Sequence, residues 1–473
     1  MIVGSGFGGL GTAAELLRAG FDDITILEKA DGIGGVWRDN TYPDAACDVP
    51  SSLYSWSFAP NPGWPRRYAR QADILDYIRR TATELGLIER VRTGVEVAEA
   101  ELDEATATWT ITTTAGETLL ADVLISAVGQ LSRPVVPNLP GREDFAGPAF
   151  HSARWDHSVD LAGRRIAVIG TGASAIQFVP AIQPRAEHVT IFQRSAPYVV
   201  PKPDRAYTGL HHRSFERRPG TQRFGRELTR VLSEQLNRSL TGTNPMKRLL
   251  ELGWRAQLRA QIRDPELRAK LIPDYPLGCK RLLFSNDWYP ALARPNVSVV
   301  TEAATEVLPH GVRAADGTVH EADVLLYGTG FAATEFLAPM TVRGVGGRTL
   351  DDTWKDGARA YLGVCVPGFP NLFVVYGPNT NLGGSSIISM MEAQALMIRG
   401  LVERSARSGA PVAVRTEAAE RFDAEIQSRL AGTVWAGCES WYADAAGRVT
   451  TNWPGTVAEY RDRCTGVDHH DFE

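Results

Sequence analysis

The chain has 473 residues, 44% hydrophobic and 22% charged, with a formal net charge of −5 at pH 7. That length exceeds one ordinary core and calls for two or three domains, while a small negative charge gives no reason to expect nucleic acid or an anionic membrane as a partner. The five cysteines (Cys47, Cys279, Cys365, Cys438, Cys464) form no CxxC pair, which argues against a disulfide framework or metal site and for a reducing, cytoplasmic setting.

No run approaches the roughly 20 apolar residues of a membrane span. The opening MIVGSGFGGLG leaves only Met1, Ile2 and Val3 before the first glycine, so a few residues are expected upstream, and no signal-peptide pattern is present. Met1–Val3 predict a strand, GSGFGGLG a turn, TAAELLRAG a helix closed by Gly20, and ITILEK a strand ending at Glu28. In such a βαβ unit Gly4 makes the tight turn, Gly6 lets a pyrophosphate approach the backbone, and Gly9 lets helix and strand pack closely. The unpaired N–H groups of the helix N-terminus favour the diphosphate. A carboxylate at Glu28 grips a ribose 2′-OH, which suits the unphosphorylated adenosine of FAD.

A second unit follows in RRIAVIGTGASAIQFVPAIQPRAEHVTIFQRS. Arg165–Ile169 form its strand, Gly170-Thr171-Gly172-Ala173-Ser174 its turn, Ala175 stands at the third glycine, and VTIF is the next strand. Gln193 falls opposite Glu28, so the ribose-binding acid is absent, and Arg194 and Ser195 suit a 2′-phosphate instead. This site therefore reads as one for NADP. Between Pro203 and Tyr275 arginine-rich stretches carry apolar residues at three- and four-residue steps, predicting amphipathic helices. They read as an insertion that helps cover the active site, or as a solvated helical hairpin. ADVLISAVGQLSRP and ADVLLYGTGF each run apolar into a small-residue turn, as expected where the chain passes between two nucleotide domains.

The fold expected is α/β, with two Rossmann-like dinucleotide-binding domains and a helical insertion. Residues 1–140 and 336–473 form the FAD-binding domain, 141–205 and 276–335 the NADP-binding domain, and 206–275 the insertion.

One stretch, FAGPAFHSARWDHS, carries none of these patterns. Its Phe145, Gly147, His151, Trp155 and Asp156 match FxGxxxHxxxW followed by Pro or Asp, and so resemble the fingerprint of the Baeyer–Villiger monooxygenases. Related N- and S-oxygenating flavin monooxygenases usually end that motif in Tyr or Phe and a base. The resemblance spans nearly the whole chain. Gly34–Phe58 resembles the family's flavin-contacting segment, and LGCKRLLFSNDWYPALARPNV the segment that carries its active-site arginine. Gly368–Gln394 resembles the strand and helix that close over the flavin, and GCESWY with Asn452–Pro454 the C-terminal tryptophan loop. The family's arginine before its Cys-Asp pair is Ala46 here, and its Ala-Thr-Gly turns appear as Ala127-Val128-Gly129 and Gly328-Thr329-Gly330.

The resemblance implies FAD and NADPH as cofactors, O2 and a small-molecule ketone as substrates, and a monomer or homodimer. It implies an ester or lactone formed through a C4a-peroxyflavin and a tetrahedral peroxide. Arg281 would stabilise the developing oxyanion, being cationic at any working pH, and Asp48 would orient it. Lys280 would join Arg194 and Ser195 around the 2′-phosphate, and Trp441 would close onto the nicotinamide. Phe7, Lys29, Gly35, Val36, Trp37, Val49, Tyr54, Val97 and Gly129 would contact FAD. His151 and Trp155 would lie on the linker between the domains and support their orientation, with no general-base role. The alternatives are N- or S-oxygenation, a disulfide reductase-like or NADPH-oxidase flavoprotein, and a nucleotide-binding redox sensor. The second lacks a redox CxxC or CxxxxC, and the third has no need of Asp48 and Arg281 together.

Overall fold

The computed structural model describes residues 1–241, 245–438 and 440–473. Residues 242–244 of the expected insertion and residue 439 of GCESWY lie outside the described residues.

Two five-stranded parallel sheets organise the molecule. The first runs Leu372–Val374, Leu124–Ser126, Ile2–Val3, Ile26–Glu28, Val91–Thr93. Four of these strands are wholly buried and almost continuously apolar, as parallel strands covered on both faces must be. The helix that leaves the first strand spans Phe7–Arg18, so it starts five residues before the expected TAAELLRAG. The glycine run itself forms the first helical turn. A Cβ on Gly9 would lie 1.9 Å from the Gly4 carbonyl oxygen, so only glycine permits this approach of helix to turn.

The second sheet runs Val297–Val300, His188–Phe192, Arg165–Ile169, Val324–Tyr327, Ala149–His151, again all parallel. Its helix is Ala175–Ile182. One expectation is corrected here: the fingerprint is not simply linker. Its Ala149–His151 is the edge strand of the second sheet, paired with Leu325–Tyr327. Gly147 makes that pairing possible, since a Cβ there would meet the Asp323 carbonyl oxygen at 2.1 Å. A three-residue strand without alternation leaves no periodic signal in the sequence.

Strands Val97–Asp103, Thr108–Thr113 and Thr118–Ala121 form an antiparallel meander, with Thr341–Arg343 added parallel to the first of them. The arginine-rich region folds as Gly209–Arg217, Pro219–Thr241, Pro245–Gln261 and Pro265–Lys270. Among the described residues no helix is long and apolar enough to cross a membrane.

The cysteine expectation is also corrected. Cys279 and Cys438 form a disulfide across 159 positions, with Cα atoms 5.7 Å apart. Local spacing cannot reveal a pair this distant in sequence. Cys47, Cys365 and Cys464 are free and buried.

Trp109 is completely buried, and its indole N–H donates to the Pro370 carbonyl at 3.0 Å, tying the meander to the strand Leu372–Val374. Trp109→Ala leaves a large cavity and an unpaired carbonyl, so it is expected to cost about 3–5 kcal/mol. Urea denaturation followed by far-UV circular dichroism measures the loss, and an unchanged midpoint refutes this account of the packing.

Candidate active site

A cleft of about 370 Å³ runs from the Gly4–Gly8 turn, past the ends of both sheets, to Arg281. The glycine turn of the first unit and the start of the helix in the second border it, at the carboxyl ends of parallel strands where ligand sites lie.

At its first-sheet end the helix Phe7–Arg18 has no side-chain cap on its N-terminus. A Cβ on Gly6 would meet only the Gly35 Cα, at 3.7 Å, so the remaining space beside the helix N-terminus belongs to the cleft. Gly35 has φ 55°, a left-handed conformation that glycine adopts without strain. This cradle of open N–H groups and glycines fits a diphosphate. Glu28 lines the cleft beyond it and accepts hydrogen bonds from Ser5 Oγ at 2.6 Å, Ser5 N at 3.0 Å and Ala30 N at 3.0 Å. Burial alone pushes the Glu28 carboxyl up, but these bonds and the Arg38 cation, 3.2 Å away, hold it below the usual range, so it is an acceptor only. The expected adenosine-side acid therefore stands where a ribose hydroxyl can donate to it.

Of the other residues expected around FAD, Gly4, Phe7, Lys29, Val36, Trp37, Asp48, Val49, Tyr54, Val97 and Gly129 also line this cleft. Gly9 does not, because its place is behind the turn. Trp37 donates to the Tyr54 hydroxyl at 3.1 Å.

On the second-sheet side Ala173 and Ser174 line the same cleft, whereas Gly170, Thr171 and Gly172 lie outside it. A Cβ on Gly170 would lie 2.5 Å from the Gly328 carbonyl oxygen, which presses the turn against the crossing strand. The helix Ala175–Ile182 also lacks a side-chain cap. Lys280 Nζ donates to Ser195 Oγ at 2.8 Å, and Arg194 is exposed beside them. Two cations and a hydroxyl at the end of the second strand are a donor set that fits a 2′-phosphate. Gln193, by contrast, is buried and donates to the Lys270 carbonyl at 2.8 Å, so it serves the fold.

The two halves meet at Arg281. Its Nε donates to Asp48 Oδ2 at 3.0 Å, and its Nη2 to Oδ1 at 2.7 Å and Oδ2 at 2.8 Å. Nη1 has no hydrogen-bond partner among the described residues, and the side chain is still 35% exposed. The Asp48 charge, outweighing burial, raises the guanidinium pKa further, so this group is a fixed cation. Tyr376 and Tyr442 stand close enough to act on it electrostatically. Burial pushes the Tyr376 phenol up to about 12 and that of Tyr442 higher, so both remain protonated.

Trp441 is not brought into the cleft. Its ring packs on Tyr442, with centroids 4.4 Å apart. Several residues here have no sequence signal. Gln177 reaches from the second-sheet helix to accept from Ala46 N at 2.9 Å and donate to Ala46 O at 3.2 Å, bracing the residue two before Asp48. Gln130 donates to the Tyr376 carbonyl at 2.9 Å. Tyr376 lines the cleft at φ 61°, a strained value for a bulky residue, and donates to Asn381 Oδ1 at 2.8 Å. Each depends on contacts between distant segments. Ser5, inside the glycine turn beside Glu28, could have been found from the motif itself.

The fingerprint stands one layer back. His151 is buried, does not line the cleft, and packs against Phe331, which does, at 5.7 Å between ring centroids. Its Nδ1 accepts from Ala153 N at 3.0 Å. Trp155 packs between Phe150 and Phe178, at 5.3 and 5.4 Å. Asp156 is exposed and accepts from Ser158 N and Oγ. Phe145 packs against the core beneath the second sheet.

Residues 1–208 match the model of a family described as pyridine nucleotide-disulphide oxidoreductase. A Baeyer-Villiger monooxygenase of Streptomyces coelicolor is 46% identical, with 100% of this chain and 92% of the relative aligned. Its counterpart from Pseudomonas aeruginosa is 41% identical, over 97% of this chain and 88% of the relative. Among solved structures, the complex of OTEMO with FAD and NADP is similar with a TM-score of 0.91 at 26% identity, covering 100% of this chain and 98% of that one.

Burial lowers the His151 pKa from 6.5 to about 4, and the Gly330 carbonyl offsets this only in part. The unfolded chain therefore takes up this proton first. The contribution of His151 to stability is full above the unfolded pKa and is lost as pH falls from 6.5 towards 4. Melting temperatures of the wild type and His151→Gln measured across that window check this: the variant is expected to lose part of the acid sensitivity. Parallel profiles would refute it.

Proposed function

The chain belongs to the Baeyer–Villiger monooxygenase family and is an FAD- and NADPH-dependent monooxygenase; from that premise we propose that it converts a ketone to an ester or lactone, with Arg281 as the catalytic cation. The observation that carries this reading is the bidentate Arg281–Asp48 pair in the cleft that Glu28 and Ser174 also line. When bound, the flavin, reduced by NADPH, activates O2 so that one oxygen atom is inserted beside the carbonyl carbon and the other leaves as water.

The protein residues do the rest of the work proposed here. The glycine turn and Glu28 hold the adenosine diphosphate half of FAD, and Lys280, Ser195 and Arg194 hold the 2′-phosphate of NADPH. Asp48 takes up Nε and Nη2 of Arg281, leaving Nη1 to donate to oxygen as negative charge develops on it. A fixed cation in a partly dry cleft stabilises that charge without reorganising, an effect worth about 3–4 kcal/mol per donor in comparable sites. Tyr376 and Tyr442 stay protonated and help keep water from the guanidinium. N- or S-oxygenation needs no strong cation at the reacting oxygen, so the fixed charge of Arg281 favours the ketone reaction.

Arg281→Ala is expected to lower ester formation by about 10²–10³-fold while NADPH still reduces the flavin. Arg281→Lys restores the charge but not the fork, and is expected to recover only part of the rate. Single-turnover product analysis on a ketone panel decides the matter: wild-type ester yields from Arg281→Ala remove the assignment. A panel in which only sulfides or amines are oxidised favours the other oxygenation class.

The 2′-phosphate assignment has its own test. Arg194→Ala and Lys280→Ala are expected to raise KM for NADPH by about tenfold each, with kcat for NADH little changed. Steady-state kinetics with both nucleotides measure this, and an unaltered NADPH preference shows that the phosphate lies elsewhere.

A further inference from the structure

The helix Pro219–Thr241 is turned inside out over its first half, whereas Leu236 near its end packs against the core. The inward stripe of that first half is polar: Gln222 Nε2 donates to the Asn61 carbonyl at 2.6 Å, and Arg226 Nη1 to the Ser52 and Ser55 carbonyls at 2.8 and 3.0 Å. Asn237, on the same stripe, is buried. The opposite stripe, Phe224, Leu228, Val231 and Leu232, is apolar and faces solvent, with Phe224 71% exposed. Spacings of four, three and one residues put these side chains on one side of the helix.

The next helix has an apolar inward face and adds a second outward apolar stripe. In Pro245–Gln261, Trp254 and Leu258 are buried in the core, while Met246, Leu249 and Leu252 are exposed, the last two by more than 60%. Arg248, Arg255 and Arg259 are exposed along the edge of that stripe. A solvated surface helix places its apolar residues inward, so large outward stripes on consecutive helices mark a surface that binds something.

Charge selects the occupant. The helices Pro219–Thr241 and Pro245–Gln261 hold eight Lys and Arg against three Glu and no Asp, a surplus of five positive charges in a chain whose total is −5. Two copies of this face would repel each other if packed symmetrically. Apolar side chains edged by arginines match the boundary between acyl chains and acidic headgroups. We propose that the helices Pro219–Thr241 and Pro245–Gln261 dock the enzyme on a bilayer surface containing anionic phospholipid. The attachment is peripheral, since no described helix can span a membrane. It also sets aside the whole-chain charge as a guide to partners, because that sum conceals a segregated basic segment.

Flotation of the FAD-loaded enzyme with vesicles tests this. Binding is expected with phosphatidylcholine vesicles containing about 30 mol% phosphatidylglycerol, is absent with phosphatidylcholine alone, and is released as salt screens the charges. Leu228→Glu/Leu249→Glu and, separately, Arg248→Glu/Arg259→Glu are each expected to weaken binding at least about tenfold, with flavin content and NADPH oxidation kept as evidence of folding. Absence of flotation with the acidic vesicles overturns the proposal, as does equal flotation with both vesicle types. A concentration-dependent dimer that the leucine variant abolishes assigns the face to a second copy, and overturns it too.

Discussion

The ion pair between Arg281 and Asp48 joins residues 233 positions apart, one on each side of the boundary between the two parallel sheets. It can form only if the second nucleotide unit docks with its strand ends facing those of the first. An ion pair that is partly buried is a poor way to gain stability, because desolvation of both groups offsets most of their attraction. The pair is better understood as chemistry that the fold must accommodate. Much of the surrounding structure follows from the need to hold it.

The supports come from both sides. Gln177 braces both backbone groups of Ala46, and Cys47 and Asp48 follow directly. At Ala46 the backbone is thus held from the second-sheet helix. On the Arg281 side, the indole N–H of Trp435 donates to the Gly278 carbonyl at 3.1 Å, and the Cys279–Cys438 disulfide lies immediately beside it. The arginine segment is therefore pinned to the region that leads into Trp441. Strain at Tyr376, whose positive φ is fixed by bonds from Gln130 and to Asn381, completes the wall opposite.

How much of this is legible in sequence depends on how far apart the partners lie. The glycine units and the acid at Glu28 are local patterns, spaced by the geometry of one strand, one turn and one helix, and the structure builds both units from them. Arg194, Ser195 and Lys280 come together across 85 positions, and only the likeness to a family points to Lys280. Gln177, Gln130 and Tyr376 carry no pattern, because a side chain that bonds a distant backbone leaves nothing periodic behind. The Cys279–Cys438 bond escapes a spacing rule for the same reason. The edge strand Ala149–His151 escapes because three residues are too few to show a period, and its companion Gly147 declares itself only once the Asp323 carbonyl is beside it.

The insertion shows a different limit. Periodicity identifies an amphipathic helix but not which stripe faces the protein, and in the first half of Pro219–Thr241 the inward stripe is the polar one. Hydrogen bonds to the carbonyls of Asn61, Ser52 and Ser55 hold this first half, while Leu236 packs against the core and Asn237 is buried near the end of the helix. Burial of Trp254 and Leu258 makes removal of the following helix expensive. Both helices therefore place side chains on the core, at Leu236, Trp254 and Leu258, and still turn Phe224, Leu228, Leu249 and Leu252 outward.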